Sequence, residues 1–258
     1  MQKRAPFLLV FSIAFGIMVL STSTGTLFGG EVKETFANIS EGALLSTIPK
    51  WNHADGGTDN WVLASFGGSD GNGFEAGALG SYRRGLSDSE ALTDSRPYTF
   101  MAKIRFTGST AYASIHIDLL ESGGVNGLGI RFDGGEADGA SANVISVSES
   151  GASWGDVKCH TVDNAHWQSN VWYQIEIDNI NITASGPVGT VTIYDKSNPS
   201  NKLVDKSPIS AYGSAGGITK VDMISISSVG AERPFQMGDI ELVRSKDKDK
   251  DKDKDISK

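Results

Sequence analysis

The stretch "YTFMAKIRF", residues 98–106, sets Tyr98, Phe100, Ala102, Ile104 and Phe106 against Thr99, Met101, Lys103 and Arg105 in strict alternation. Successive side chains of a β-strand point to opposite faces, so this period makes one apolar and one polar face. The same pattern recurs in "ASIHIDL", "LGIRFD", "WYQIEID", "TVTIYD" and "DIELV". Turn formers separate these runs: "ESGGVNG", "DGGEADG", "TASGPVG", "KSNPSN" and "GSAGG". No window carries a convincing helical stripe. One-faced strands joined by Gly-rich turns predict an all-β fold with little helix: two antiparallel sheets packed face to face as a β-sandwich, or jelly roll.

The two ends do not share this pattern. "MQKR" followed by "APFLLVFSIAFGIMVL" is a positive n-region and an apolar h-region. Phe7 to Leu20 is short for a span that needs roughly 20 apolar residues, and the small residues Ser21 to Gly25 suit a peptidase. Residues 1–25 are therefore expected to be a signal peptide, cleaved near 23–30, with no membrane insertion afterwards. The expected location is secreted or extracytoplasmic, in a periplasm or at a cell surface. Residues 245–258, with the run "KDKDKDKDKD", have nothing apolar to order them and are expected to form a disordered Lys/Asp tail.

Residues 31–244 suit one all-β domain. They contain 15 Lys and Arg against 26 Asp and Glu. That acidic balance argues against nucleic acid, whose phosphates require a basic surface. Cys159 is the only cysteine, so no intrachain disulfide can form, and with His160 and His166 it lacks zinc-type spacing.

The ending "FQMGDIELVR", the run "VWYQIEID" followed by "GTVTIYD", and the opening "ETFANISEGALLSTIPKW" together resemble the concanavalin A-like lectin/glucanase superfamily in its secreted bacterial jelly-roll modules. The resemblance implies a curved sandwich whose concave sheet holds a saccharide, a scaffold that hosts both lectins and enzymes. It also implies a structural calcium ion where the first and last strands meet, which would involve Asp239 and Glu34. A loop alternative for that ion is Asp133, Glu136 and Asp138 in "DGGEADG", whose mixed oxygens suit calcium. Asp70 in "GGSDGNG" is read as part of a turn.

Parity locates the expected binding face. In "SIHID", Ser114, His116 and Asp118 point one way; in "GIRFD", Gly129, Arg131 and Asp133 do. The short link "ESGGVNG" predicts a hairpin between them, which sets His116 opposite Arg131 or Asp133. The strand of Lys103 and Arg105 is a candidate neighbour in the same sheet. "IHIDLLES" is similar to the E-x-D-x-x-E strand of laminarinase-like glycoside hydrolases, but His116 stands where a nucleophilic carboxylate is needed. Glu121 reaches His116 and Asp118 only through a β-bulge near Leu119 and Leu120.

A polysaccharide lyase on the same fold fits the residues better than a hydrolase, with His116 as base and Arg131 as the cation on a uronate carboxylate. The strand motifs of such lyases are absent, and Tyr82 with Arg83 and Arg84 is a distant echo. Trp154, in a Gly- and Ser-rich loop, is the leading candidate for stacking on sugar rings; Trp167 is weaker, and Trp51, Trp61 and Trp172 read as structural. The favoured reading is a carbohydrate-binding protein that recognises a polysaccharide or cell-surface glycan through His116, Asp118, Arg131, Asp133 and Trp154. A lyase or hydrolase is the alternative, and a structural envelope protein without a ligand is the third.

Overall fold

The computed structural model describes residues 31–37, 39–54, 60–67, 70–76, 79–107, 113–123, 126–134, 143–149, 159–184, 186–213, 218–230 and 234–245. The expected signal peptide and tail, Trp154, Glu136 and Asp138 lie outside these residues. Among the described residues the secondary structure is strand, apart from a 3₁₀ turn at Leu45–Thr47.

Fifteen strands form two antiparallel sheets. In chain order they are β1 (Val32–Glu34), β2 (Trp51–His53), β3 (Val62–Gly67), β4 (Gly71–Ala76), β5 (Gly80–Gly85), β6 (Tyr98–Phe106), β7 (Ala113–Leu120), β8 (Gly127–Asp133), β9 (Val144–Ser148), β10 (Cys159–His166), β11 (Trp172–Ile180), β12 (Gly189–Asp195), β13 (Asn198–Ile209), β14 (Met223–Gly230) and β15 (Phe235–Arg244). Sheet 1 runs β13-β12-β11-β6-β15-β4-β3, with β1 also paired to β15; sheet 2 runs β10-β9-β8-β7-β14-β5-β2. The long antiparallel pairings and near absence of helix make this the expected two-sheet sandwich, consistent with a jelly roll.

The alternation read from the sequence decides which side chains meet between the sheets. Phe100, Ile104 and Phe106 of β6 are fully buried, as are Ile175 and Ile177 of β11, Ile115 of β7, Ile130 and Phe132 of β8, and Ile224 and Ile226 of β14. Trp61 anchors one end of this core, stacked on Tyr82 at 4.5 Å and on Phe74 at 5.6 Å, with the Phe235 ring edge-on. At the other end Trp167 packs on Phe106 at 4.0 Å. Each such ring removed from water contributes roughly 1.5–3 kcal/mol or more. Trp51 and Trp61 are structural as expected. Trp167, weighed as a sugar-stacking residue, is instead buried and donates Nε1–H to the Asp133 carbonyl at 3.2 Å.

Two details depart from the sequence reading. "KSNPSN" was expected as a turn, yet only Lys196 and Ser197 turn the chain, and Pro199 lies inside β13. That strand pairs on one side only, and a sheet edge tolerates a residue without an N–H. In β15 the register shifts between Gly238 and Glu241, with Asp239 at φ 40°. One extra residue there changes the parity, so that Phe235 and Met237, then Ile240 and Leu242, all face the core.

Candidate functional site

β7 is the middle strand of sheet 2, with three strands on either side. Its alternation sends Ile115, Ile117 and Leu119 into the core and Ser114, His116 and Asp118 to the outward face. The hairpin with β8 has the expected pairing: His116 opposite Arg131, Ser114 opposite Asp133 and Asp118 opposite Gly129.

Antiparallel registers extend these pairs into two rows running across the strands. One row is Thr161, Ser146, Arg131, His116, Ser227 and Ser81. The other is Gly129, Asp118, Ser225, Arg83 and Asn52, and Ser148 lengthens it on the β9 side, its Oγ accepting from Gly129 N at 3.1 Å. From Asn52 to Ser148 the row crosses five strand steps, about 24 Å at roughly 4.8 Å each. The serines Ser146, Ser148 and Ser225 of these rows are buried, and Ser148 Oγ donates to the Ser210 carbonyl at 2.7 Å, so the segment of Ser210 to Tyr212 covers part of this face.

Asp118 is buried, 4% exposed. Its carboxylate lies over Gly129, where a Cβ would overlap it, so glycine on the neighbouring strand makes its space. The Tyr212 hydroxyl is 3.5 Å from its Oδ1. Burial pushes this carboxyl well above the usual range, and Tyr212 and the Arg83 cation offset that only in part, so the fold favours the protonated acid. Burial, with the Arg131 cation beside it, pulls the His116 imidazole down to about 4, Asp133 partly opposing, so His116 is neutral at pH 7. Arg131 Nε donates to Asp133 Oδ1 at 2.5 Å, and the Ser114 hydroxyl donates to the same oxygen at 2.5 Å. Arg131 is thereby committed to its own strand.

Glu121 does not join this group. β7 keeps an unbroken register with both neighbours as far as Leu120, so the bulge that would have turned Glu121 inward is absent. Leu120 faces outward and packs with Tyr212 and Met223. Glu121 fastens a loop, its Oε1 accepting from Thr219 N and Lys220 N and its Oε2 from Asn126 Nδ2 at 2.8 Å. Lys103 and Arg105 are also elsewhere: β6 is the middle strand of sheet 1, so they lie on the opposite outer face. There Lys103 pairs with Asp239, and Arg105 binds Gln236 and sits 5.0 Å over the Trp172 ring.

The expected calcium ligands do not converge among the described residues. Glu34 accepts from Arg84 at 2.6 Å, Asp239 from Lys103, and Asp133 from Arg131. Among the described residues no three His, Cys, Asp or Glu side chains gather, while Glu136 and Asp138 of the loop alternative lie outside them. Asp70 pairs with Lys196 at 2.8 Å beside a cleft of about 380 Å³ on sheet 1, which Asn170, Trp172 and Asp195 also line.

Sequence reasoning did not place Arg83 on this face. It is half-buried on the outward face of β5, and its Nε has no hydrogen-bond partner among the described residues. Pairing β5 with β14 and β2 put it in the row of Asp118. "GSYRRG" does carry the alternation that would have placed it, Tyr82 inward and Arg83 outward, but the sequence offered it only as a distant echo of a lyase strand motif.

Sheet order, core and polar face together define an all-β sandwich of jelly-roll type. No family model matches the chain, and no curated protein does. Among solved structures it is similar to an alginate lyase mutant in complex with alginate tetrasaccharide, at 12% identity and TM-score 0.47, over 84% of this chain and 98% of that one. It is also similar to the T. cruzi calreticulin globular domain, at 10% and 0.48 over 83% and 87%, and to Trypanosoma rangeli sialidase, at 11% and 0.41 over 72% and 28%.

Proposed function

We propose that this protein binds a carbohydrate across the outward face of sheet 2, as a secreted lectin-like module of the concanavalin A-like type. The observation that supports this is the pair of cross-strand rows. They set hydroxyls, a neutral imidazole, a protonated acid and two guanidinium groups along one track about 24 Å long. Sugar hydroxyls both donate and accept, and a track of fixed donors and acceptors is what orients them. Trp154, which lies in the sequence between β9 and β10, is the proposed stacking ring.

The same face supports catalysis less well. A general base works best with a pKa near the working pH, and an imidazole drawn down to about 4 is a weak proton acceptor. His116 therefore serves here as a neutral hydrogen-bonding group. The test is a glycan array run beside assays for new reducing ends and for ultraviolet-absorbing unsaturated products, on acidic and neutral polysaccharides. Retention without products is the expected result. Products abolished by His116→Ala would replace binding with lyase action, and retention of no glycan at all would overturn the reading. Within a retained glycan, His116→Ala is expected to weaken affinity by about 1–2 kcal/mol.

A further inference from the structure

We infer that the glycan is acidic and that Arg83 takes a carboxylate of its sugar. The inference rests on the glycan-binding reading of the sheet 2 face and specifies its substrate class.

Among the described residues there are six arginines. Arg84 binds Glu34 and Glu90, Arg96 and Arg244 bind Asp94, Arg131 binds Asp133, and Arg105 binds the Gln236 amide. Arg83 has no hydrogen bond or ion pair to a described residue, although it is half-buried and its Nε is shielded from water. Its row neighbours are the neutral Asn52 and Ser225. The nearest acid along the row is Asp118, whose carboxyl burial pushes well above the usual range against the pull of Tyr212 and Arg83 and which forms no ion pair with Arg83. On the other row His116 is neutral, and the charge of Arg131 is spent on Asp133. On this track Arg83 is thus the cation without an ion-pair partner among the described residues, in a domain with 15 basic and 26 acidic residues.

A half-desolvated guanidinium without a partner is costly, and an anion that completes it recovers that cost. Its planar fork of N–H donors matches a carboxylate in two parallel hydrogen bonds. The serines and amide beside it suit the hydroxyls of the same sugar. The acidic remainder of the molecule disfavours indiscriminate adsorption of polyanions, so retention of one points to a local cation.

The test compares polygalacturonate, alginate and a glucuronic acid-containing glycan with their carboxyl-reduced forms, by affinity electrophoresis or calorimetry. At least one acid form is expected to bind roughly ten- to hundredfold more tightly than its reduced counterpart. Arg83→Gln should erase that difference while keeping affinity for the reduced form, and Arg83→Lys should keep part of it. Equal binding of acid and reduced forms, or a preference that survives Arg83→Gln, overturns the carboxylate subsite and leaves the glycan site standing. Binding of neither form overturns both. The wild-type comparison alone decides the matter if Arg83→Gln does not fold.

Discussion

Asp118 shows how one residue's chemistry depends on what its neighbour lacks. Gly129 leaves the space that the carboxylate fills, and there it is 4% exposed, with the Tyr212 hydroxyl 3.5 Å from Oδ1. An acid whose folded pKa is raised contributes its stability fully below the unfolded value, near 3.8, and loses it as pH rises through the folded value. Asp118→Asn, which keeps the shape and removes the titration, should therefore match the wild type at pH 4 and exceed it in urea midpoint at pH 8. A lower midpoint at pH 8 would mean that the buried group is a carboxylate. Gly129→Ala should lower stability by about 1–3 kcal/mol, because its methyl must displace that carboxyl.

At the scale of elements, β1 has three residues and little propensity of its own, yet it joins the two sheets. It pairs with β15 in sheet 1 through Val32, Lys33 and Glu34, while the Glu34 carboxylate crosses to Arg84 on β5 of sheet 2. Arg84 is 4% exposed and is also held by Glu90 at 3.1 Å. Removing one of two carboxylates from a buried guanidinium leaves a donor unmet, so Glu34→Ala is expected to cost about 1–3 kcal/mol in urea unfolding, and Glu34→Gln less. The β15 bulge is the other device at this scale. Gly73 on β4 lies against the Met237 backbone, where any Cβ would collide with the carbonyl oxygen, so Gly73→Ala should loosen the β4–β15 pairing. Amide hydrogen exchange of residues 235–238 measures that loosening.

For the molecule as a whole, His116 and Glu90 have the largest shifts among the groups that make the fold sensitive to acid. The depressed His116 value means that the unfolded chain takes up a proton first, near 6.5, so stability is lost as pH falls from there to about 4, by up to about 3 kcal/mol. Glu90 works against its own desolvation cost, but Lys50, Ser87 and Arg84 draw it from 4.5 to about 2. Its contribution is present above 4.5 and is lost as pH falls through about 2. Asp118 gains stability over part of the same window, so the His116 contribution is read as the difference in urea midpoint between the wild type and His116→Gln, which should change as pH falls from 6.5 to about 4. A difference that stays constant from pH 6.5 to 4 would show that His116 is solvated in solution.

What the sequence by itself determined is whatever neighbouring residues settle between them. Period-two alternation marked β6 at its observed bounds, and parity with a short link set His116 against Arg131 or Asp133, of which the hairpin's register takes Arg131. The serine- and glycine-rich strands β4, β5 and β14 escaped notice, since weak alternation does not separate a strand from a turn. Only the tertiary structure decided that β7 pairs with β14, a hundred residues on, and that β6 lies in the other sheet. Strand order follows from burying every apolar face at once, which no local window contains. That order brought Arg83 into the row of Asp118, and the burial it created holds His116 neutral and favours protonated Asp118.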